Sequence, residues 1–266
     1  MKIGIIGMGH VGQTMAEVFG PFADLVTYDI ASKEKYPYSE LSDCSFAIVC
    51  VGTPMNEDGS CRTDNVIDAV SALPTDRILL RSTVPPGTTD RLILLTGKRV
   101  CFSPEYFGES SYLSNFHAAG PSQIPFMIVG GSEADRRQMI TDICAILGPD
   151  KIYFQCTARE AEIVKYMENA YLATKVGFVN EFFEICKVFG ADWHTVREAW
   201  LLDPRVDRSH TAVFESSRGF GGRCLPKDLR AIVEAASEAG YHPALLAQLL
   251  KSNANFRAQS VSPPAR

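Results

Sequence analysis

The sequence of 266 residues lacks three features that would assign the chain to a specialised class of protein. No apolar run approaches the roughly 20 residues that a membrane-spanning helix needs. The formal net charge is −5, so there is no basic excess typical of a general nucleic-acid binder, although local basic pockets for an anionic substrate stay compatible with it. The N-terminus is a short apolar run before a glycine turn, which is not the pattern of a signal peptide. We therefore expect a globular, cytoplasmic protein.

Paired cysteine spacings are also missing, although the sequence has eight cysteines. None of them shows the spacing of a metal site, and a chain of this length does not need disulfides to hold its core. We predict reduced thiols and no bound metal, which agrees with a cytoplasmic location.

The first half of the sequence alternates short β-rich runs with helical segments. The runs predict strands at 2–6, 25–28, 46–51, 77–81, 99–102 and 125–129. Helices fit between them at 11–19, 63–72, 88–96 and 133–147. Short apolar strands separated by helices predict an α/β fold with a doubly wound, Rossmann-like parallel sheet.

The second half is predicted to be helical. Thr157 is followed three residues later by Glu160, which is the pattern of a capping box. No proline interrupts the chain from there to Phe189, so one helix of about 30 residues is expected, long enough to connect domains or form a subunit interface. Three more helices are predicted at 192–201, 227–239 and 243–255. We predict an NAD-binding domain over 1–156, an all-helical catalytic and dimerisation domain over 157–257, and a flexible tail over 258–266.

A glycine turn follows the first predicted strand and opens the first helix, formed by Gly7, Gly9 and Gly12. Such a turn lets a pyrophosphate approach the backbone, although three glycines often mark only a turn. The second strand ends at Asp29, about 20 residues on, where a carboxylate can bind ribose hydroxyls. Together these features predict a dinucleotide site that prefers NAD, because the carboxylate repels the 2′-phosphate of NADP. Two nearby lysines, Lys33 and Lys35, weaken that preference.

Two further loops follow predicted strands, at residues 51–54 and 82–88. The carboxyl ends of parallel strands form the edge of the sheet where ligands bind. Their prolines and glycines are also ordinary turn residues. Hydroxyl side chains in both loops favour contact with the cofactor.

The segment 219–228, Gly-Phe-Gly-Gly-Arg-Cys-Leu-Pro-Lys-Asp, is the densest chemical signal. Pro226 suits the first position of a helix, which puts Cys224 just before a helix N-terminus. The partial positive charge there favours thiolate over thiol, as do two neighbouring cations, Arg223 and Lys227. Cys224 is therefore a candidate nucleophile, with Asp228 as base or orienting group. The alternative is a buried structural cysteine, which is how we interpret the other seven.

The long helix carries Glu162, Lys165 and Asn169 at spacings that put them on one face. A solvated charged stripe is the simpler interpretation. The apolar residues beside them indicate instead that this face is covered, and a covered lysine beside an amide can polarise a substrate oxygen.

These residues resemble the UDP-glucose/GDP-mannose dehydrogenase family over about 1–255. The matching segments are 7–12, 52–54, 82–88, 103–109, 161–181 and, most specifically, 219–228. The resemblance implies a Rossmann domain followed by a helical domain that dimerises about the long helix. It also implies oxidation of a sugar C6 alcohol to a carboxylate, with two NAD reduced per turnover.

The resemblance also implies a role for each matching residue. Cys224 corresponds to the nucleophile that forms a thiohemiacetal and then a thioester, and Lys165 with Asn169 to the pair that stabilises the oxyanion. Asp228 and Thr83 correspond to residues that position water, and Glu105 to a carboxylate of the same site. The NAD contacts it implies are Gly7, Gly9, His10, Val11, Gly12, Asp29, Thr53, Thr83, Glu109 and Lys227. The substrate contacts are Glu105, Lys165, Asn169, Gly221 and Arg205, the last reaching the neighbouring subunit's substrate.

Two departures from the family keep other functions open. Family members usually continue into a second Rossmann-like domain that grips the nucleotide, whereas this sequence stops soon after the fourth helix, so a short form is expected. Residues 206–217 also differ from the usual continuation. The substrate is then a nucleotide sugar or a smaller hydroxymethyl compound such as a nucleoside. A one-step β-hydroxyacid-type dehydrogenase and a non-catalytic NAD-binding remnant are the alternatives, and the NADH yield per alcohol separates the three.

Overall fold

The structure is a computed structural model that describes residues 1–32, 35–106 and 124–260. The described residues up to Lys165 form one compact unit, and those from Tyr166 onward form a second. Among them, no helix combines the length and the apolarity needed to cross a membrane.

The first unit contains a sheet of seven strands in the order β2-β1-β3-β4-β5-β6-β7. Its strands are β1 (Lys2–Ile6), β2 (Asp24–Tyr28), β3 (Phe46–Val49), β4 (Arg77–Leu80), β5 (Arg99–Phe102), β6 (Phe126–Gly130) and β7 (Ile152–Cys156). The residues described in this part of the chain contain five α-helices: α1 (His10–Phe19), α2 (Tyr38–Ser42), α3 (Asp64–Ala72), α4 (Thr88–Thr96) and α5 (Glu133–Leu147). Apolar clusters cover both faces of the sheet, as a doubly wound fold requires. The predicted fold class is confirmed.

The sheet differs from the prediction at its last two strands. β6 pairs antiparallel with β5, whereas the other neighbouring pairs are parallel. No helix was predicted between these two strands, and a parallel pair needs such a crossover. β7 was not predicted at all, since its five residues lie between a glycine-proline turn and the capping box. The short helix α2 was also missed.

The second unit is built on α6 (Ala158–Val188), most of which belongs to it. The predicted capping box is confirmed, because the backbone N–H of Thr157 donates to Glu160 Oε2 at 2.7 Å and that of Glu160 to Thr157 Oγ1 at 3.3 Å. The remaining helices are α7 (Trp193–Trp200), α8 (Leu225–Glu238) and α9 (Ala244–Ala258). One side of α6 packs into their core through Ala170, Ala173, Val176 and Val179.

Candidate active site

The glycine turn connects β1 to α1 with the geometry that a bound pyrophosphate needs. Gly7 has φ +89°, a left-handed conformation that side chains rarely adopt. A Cβ on Gly12 would lie far inside van der Waals contact of the Gly7 carbonyl oxygen, so only glycine allows α1 to pack this closely. A Cβ on Gly9 would meet nothing within 4 Å, and Gly9 offers no side-chain cap to α1. Space and helix N–H groups are therefore available to an anion at this turn.

Asp29 lies directly beside this turn, immediately after β2. Its carboxylate accepts hydrogen bonds from the backbone N–H groups of Met8 at 2.6 Å and Ala31 at 2.9 Å. A carboxylate has about four lone-pair sites, so these two bonds leave acceptors for ribose hydroxyls. His10 and Val11 are the first residues of α1. The residues of this end fit a dinucleotide. Lys33 and Glu109, also singled out in the sequence, lie outside the described residues.

The loops after β3 and β4 are joined by hydrogen bonds. Thr53 Oγ1 donates to the Thr83 carbonyl at 2.9 Å, and Ser82 Oγ donates to the Val51 carbonyl at 2.7 Å. Thr53 is buried and Thr83 half-buried. The two threonines predicted to contact the cofactor therefore lie at one edge of the sheet, although the contact itself stays a prediction.

Lys165 and Glu105 form a buried ion pair. Lys165 Nζ lies 2.8 Å from Glu105 Oε1 and also donates to the Glu105 carbonyl at 2.7 Å. Glu162, Lys165 and Asn169 are each at most 5% exposed. The expectation of a covered face is confirmed, and a solvated stripe is excluded.

Glu162 makes contacts that the sequence did not indicate. Its carboxylate accepts hydrogen bonds from Gly87 N–H, Thr89 N–H and Thr89 Oγ1, at 2.5, 2.8 and 2.7 Å. Burial raises the pKa of this carboxyl, while the hydrogen bonds from Thr89 and Gly87 act in the opposite direction. The spacing to Lys165 was visible in the sequence, but the loop that Glu162 holds was not.

Cys224 is the residue immediately before α8. The sequence predicted Pro226 at the first position of this helix. The helix begins at Leu225, so Pro226 occupies the second position. Among the eight cysteines, all of which are described and all of which are thiols, Cys224 alone is exposed. Burial raises the pKa of Cys50 and Cys101 to about 12, which makes those thiols unreactive. The contrast favours Cys224 as the reactive thiol.

Asp228 lies in the first turn of α8 and is buried. It accepts a hydrogen bond from Asn169 Nδ2 at 2.6 Å on one oxygen and pairs with Lys227 Nζ on the other. Asp228 therefore orients the Asn169 amide through this hydrogen bond.

Two asparagines hold the glycine-rich segment and were missed in the sequence. Asn253 accepts from Phe220 N–H at 2.7 Å and donates to the Phe220 carbonyl at 3.0 Å. Asn180 accepts from Gly219 N–H at 3.0 Å and from Arg218 Nε at 2.8 Å. Each lies more than 30 residues from the residues it holds, so no local pattern reveals them.

The predicted residues thus form local groups. Glu105 lies with Lys165 in the first unit, and Asn169 lies with Asp228 and Lys227 in the second.

Gly221 faces the guanidinium of Arg257. Arg205 is exposed, and its guanidinium donates hydrogen bonds to the carboxylate of Asp203. These hydrogen bonds raise the pKa of Arg205. No group of His, Cys, Asp and Glu suited to a metal occurs among the described residues.

A glycine turn between a strand and a helix, with an acidic residue after the next strand, defines a dinucleotide-binding domain. Two family models match: the NAD binding domain of the UDP-glucose/GDP-mannose dehydrogenase family over residues 33–147, and the central domain over 159–255. The chain is 30% identical to UDP-glucose 6-dehydrogenase AglM of Haloferax volcanii, over 92% of this chain and 68% of that protein. It is 26% identical to GDP-mannose 6-dehydrogenase of Pseudomonas aeruginosa, over 96% and 69%.

A solved structure agrees with these matches. The UDP-glucose dehydrogenase of Pyrobaculum islandicum superposes with a TM-score of 0.82 at 26% identity, covering 96% of this chain and 68% of that one. The chain belongs to the UDP-glucose/GDP-mannose dehydrogenase family, and its cofactor is NAD. It spans between about half and about two thirds of the length of the curated relatives it matches.

Proposed function

We propose that this protein oxidises a hydroxymethyl group of a nucleotide sugar to a carboxylate in two hydride transfers, with Cys224 as the covalent nucleophile. The observation that carries the proposal is the position of Cys224, which is the one exposed thiol of eight and directly precedes a helix N-terminus. A helix N-terminus favours thiolate, which is the nucleophilic form. Family membership supports the reaction class.

The first oxidation converts the alcohol to an aldehyde. Bound NAD supplies the hydride acceptor. The hydroxyl proton passes to water, Lys165 stabilises the oxygen left behind, and Glu105 holds the lysine in place through their buried ion pair. Asn169, oriented by Asp228, keeps a second amide hydrogen that it can donate to an oxyanion.

The second oxidation requires the thiolate. Cys224 Sγ adds to the aldehyde carbon, and the oxygen takes a proton from water to give a thiohemiacetal. The hydride of this carbon would pass to a second bound NAD, and return of the hydroxyl proton to water would leave a thioester. Water attacks the thioester, the C–S bond breaks, and the products are the carboxylate and the free thiol. Thr83 and Asp228 are proposed to position this water.

The substrate is proposed to be a nucleotide sugar because the two relatives compared above are named for UDP-glucose and GDP-mannose. Their similar identities to this chain favour neither nucleotide. A nucleoside-like alcohol is the smaller substrate that the same chemistry can oxidise.

We also propose a homodimer that pairs through α6. Six large apolar side chains, five on the side of α6 away from the core and one directly after the helix, are between 40 and 81% exposed and are here called the α6 stripe: Met167, Tyr171, Phe178, Phe182, Ile185 and Phe189. The spacings of three, four and seven residues put them on one face. Phe178 contacts Trp200 of α7, and Ile185 and Phe189 line a groove with residues of α9, yet each side chain of the stripe stays at least 40% exposed. An exposed apolar surface of this kind favours burial by a partner chain. Arg205 is then proposed to serve the partner's site.

The test is a turnover screen of UDP-sugars, GDP-mannose and free nucleosides with NAD. Two NADH and one acid per substrate molecule are expected for the proposed reaction. One NADH without acid would indicate a single oxidation of the β-hydroxyacid type. No turnover with any substrate, while NAD still binds, would overturn the proposal and favour a non-catalytic NAD-binding protein.

A further inference from the structure

Glu162 is a fully buried carboxylate to which the proposed reaction gives no role. It is 0% exposed and receives three hydrogen bonds, all from the start of α4 and the residue before it. A buried carboxylate is costly unless it is paired or fully hydrogen-bonded. Its retention here indicates a task that an apolar residue cannot perform.

The N-terminus of α4 is capped from a distant element. A helix normally receives its cap from a local side chain, but Gly87 has none, and Thr88 Oγ1 donates to the Pro85 carbonyl instead. Glu162 provides the cap from α6, more than 70 residues along the chain. The cap therefore fastens the loop before α4 to α6.

Both ends of this connection carry residues of the proposed machinery. Thr83 lies in the loop, four residues before Gly87, and Lys165 lies three residues after Glu162 on the same helix. Thr83 is also held from its other side, since its carbonyl accepts from Thr53. Lys165 in turn holds Glu105 in the loop after β5. Contacts thus connect the three loops that follow β3, β4 and β5. The last two loops are held by Glu162 and Lys165, which lie on successive turns of α6.

The first turns of α6 pack tightly against the first unit. Ala161 is fully buried in the core of the first unit. A Cβ on Gly130 would lie 2.7 Å from the Ala161 Cβ and 3.0 Å from Ala158 Cα, so β6 and α6 pack too closely for a larger residue. A displacement between loop and helix would therefore fall on the loop.

We propose that Glu162 is a positioning residue that holds the Thr83 loop in register with Lys165. The inference rests on the proposed function, because only there do Thr83 and Lys165 act in one reaction. Glu162 itself touches neither residue's functional group. Its effect is on their relative placement, which a reaction with a positioned lysine and water requires.

The test replaces Glu162 by glutamine, which keeps the size but points an NH2 group at hydrogen-bond donors. We expect kcat to fall roughly 10- to 100-fold, the loss that a displacement of up to about 1 Å near a reacting group causes. The Kd for NAD should change much less than kcat, because Thr83 is one of several predicted cofactor contacts and the glycine turn and Asp29 do not touch Glu162. Glu162→Asp, which keeps the charge, should recover part of kcat.

Asp90→Asn is the matched control. It removes the exposed Arg159–Asp90 ion pair, which joins the same two helices but is worth little in water. Its kcat should equal that of the wild type. A Glu162→Gln variant with wild-type kcat would overturn the inference. An equal loss in Asp90→Asn would also overturn it, because general docking of the helices would then explain both.

Hydrogen exchange separates this inference from the proposed function. In Glu162→Gln the amides of Gly87 and Thr89 should exchange at least tenfold faster, while those of the first turns of α6 stay protected. If the wild type oxidises no substrate, the proposed function fails, and this measurement alone decides the role of Glu162. Unchanged exchange at Gly87 and Thr89 in a folded variant would refute it.

Discussion

Replacing Met167 by aspartate is expected to dissociate the proposed dimer. With roughly 200 Å2 per large side chain, the exposed fractions of the α6 stripe leave about 700 Å2 of apolar surface, close to the ~800 Å2 that each partner of a standard interface buries. Met167 is 72% exposed, so burying it contributes about 2 kcal/mol per copy. In a two-fold interface it occurs twice, which gives about 4 kcal/mol, or roughly 1,000-fold in Kd. The buried carboxylates add to this loss.

Sedimentation velocity at micromolar concentration measures the result. The wild type should sediment as a dimer and Met167→Asp as a folded monomer with little activity. Leu94→Asp is the control, since Leu94 is an exposed leucine on α4 and not on α6. A wild type that is a fully active monomer, or a Met167→Asp variant that stays dimeric, would refute the interface.

A complementation experiment tests the shared site separately. Arg205→Ala and Cys224→Ser homodimers should each be inactive. In a mixed dimer, the protomer that keeps Cys224 receives the intact arginine from its partner. Mixing equal amounts should therefore restore about a quarter of the sites. No recovery after subunit exchange would mean that Arg205 serves its own chain or no site at all.

Three further predictions concern the reacting thiol and the cofactor. Cys224→Ser should abolish acid production without changing NAD affinity, whereas Cys144→Ser, in a half-buried thiol, should leave both unchanged; near-normal acid yield from the first variant contradicts covalent catalysis. The wild type should use NAD at least about tenfold better than NADP in kcat/KM, because a 2′-phosphate about 4 Å from Asp29 costs up to ~4 kcal/mol, and equal efficiencies would mean that Asp29 does not meet the ribose. Gly12→Ala should lower the free energy of unfolding by about 1–3 kcal/mol, measured by thermal melting, while Gly9→Ala should weaken NAD binding at unchanged stability; a stable Gly12→Ala variant would contradict the close packing of α1.

Local patterns in the sequence predicted most of the fold. The bounds of β1, β5, α4 and α5 agree with the structure because turns or caps flank each of them. The capping box at Thr157 predicted the start of α6 because its two hydrogen bonds are local. β7 was not predicted because its pattern is weak. It has five residues and lies at the edge of the sheet, where Ile152 and Phe154 are exposed.

The candidate site was predictable only where it depends on spacing. Lys165 and Asn169 share a helix face, and Cys224 precedes a helix, so residue numbers were enough to group them. The partners of Glu162, Asn180 and Asn253 lie at least 30 residues away and are brought to them by the fold. Lys227 and Asp228 are neighbours in the sequence, but whether their side chains pair depends on side-chain conformations that no sequence pattern encodes.

The burial of seven of the eight cysteines in whole or in part makes the chain easy to label at one atom. A thiol whose pKa is about 12, as for Cys50 and Cys101, is thiolate in only about one molecule in 100,000 at neutral pH. A brief exposure to a maleimide dye or a fluorinated alkylating probe should therefore modify the exposed Cys224 before these buried thiols. The unaltered protein then carries its own spectroscopic reporter beside α8, and substrates can be ranked by how well they protect it.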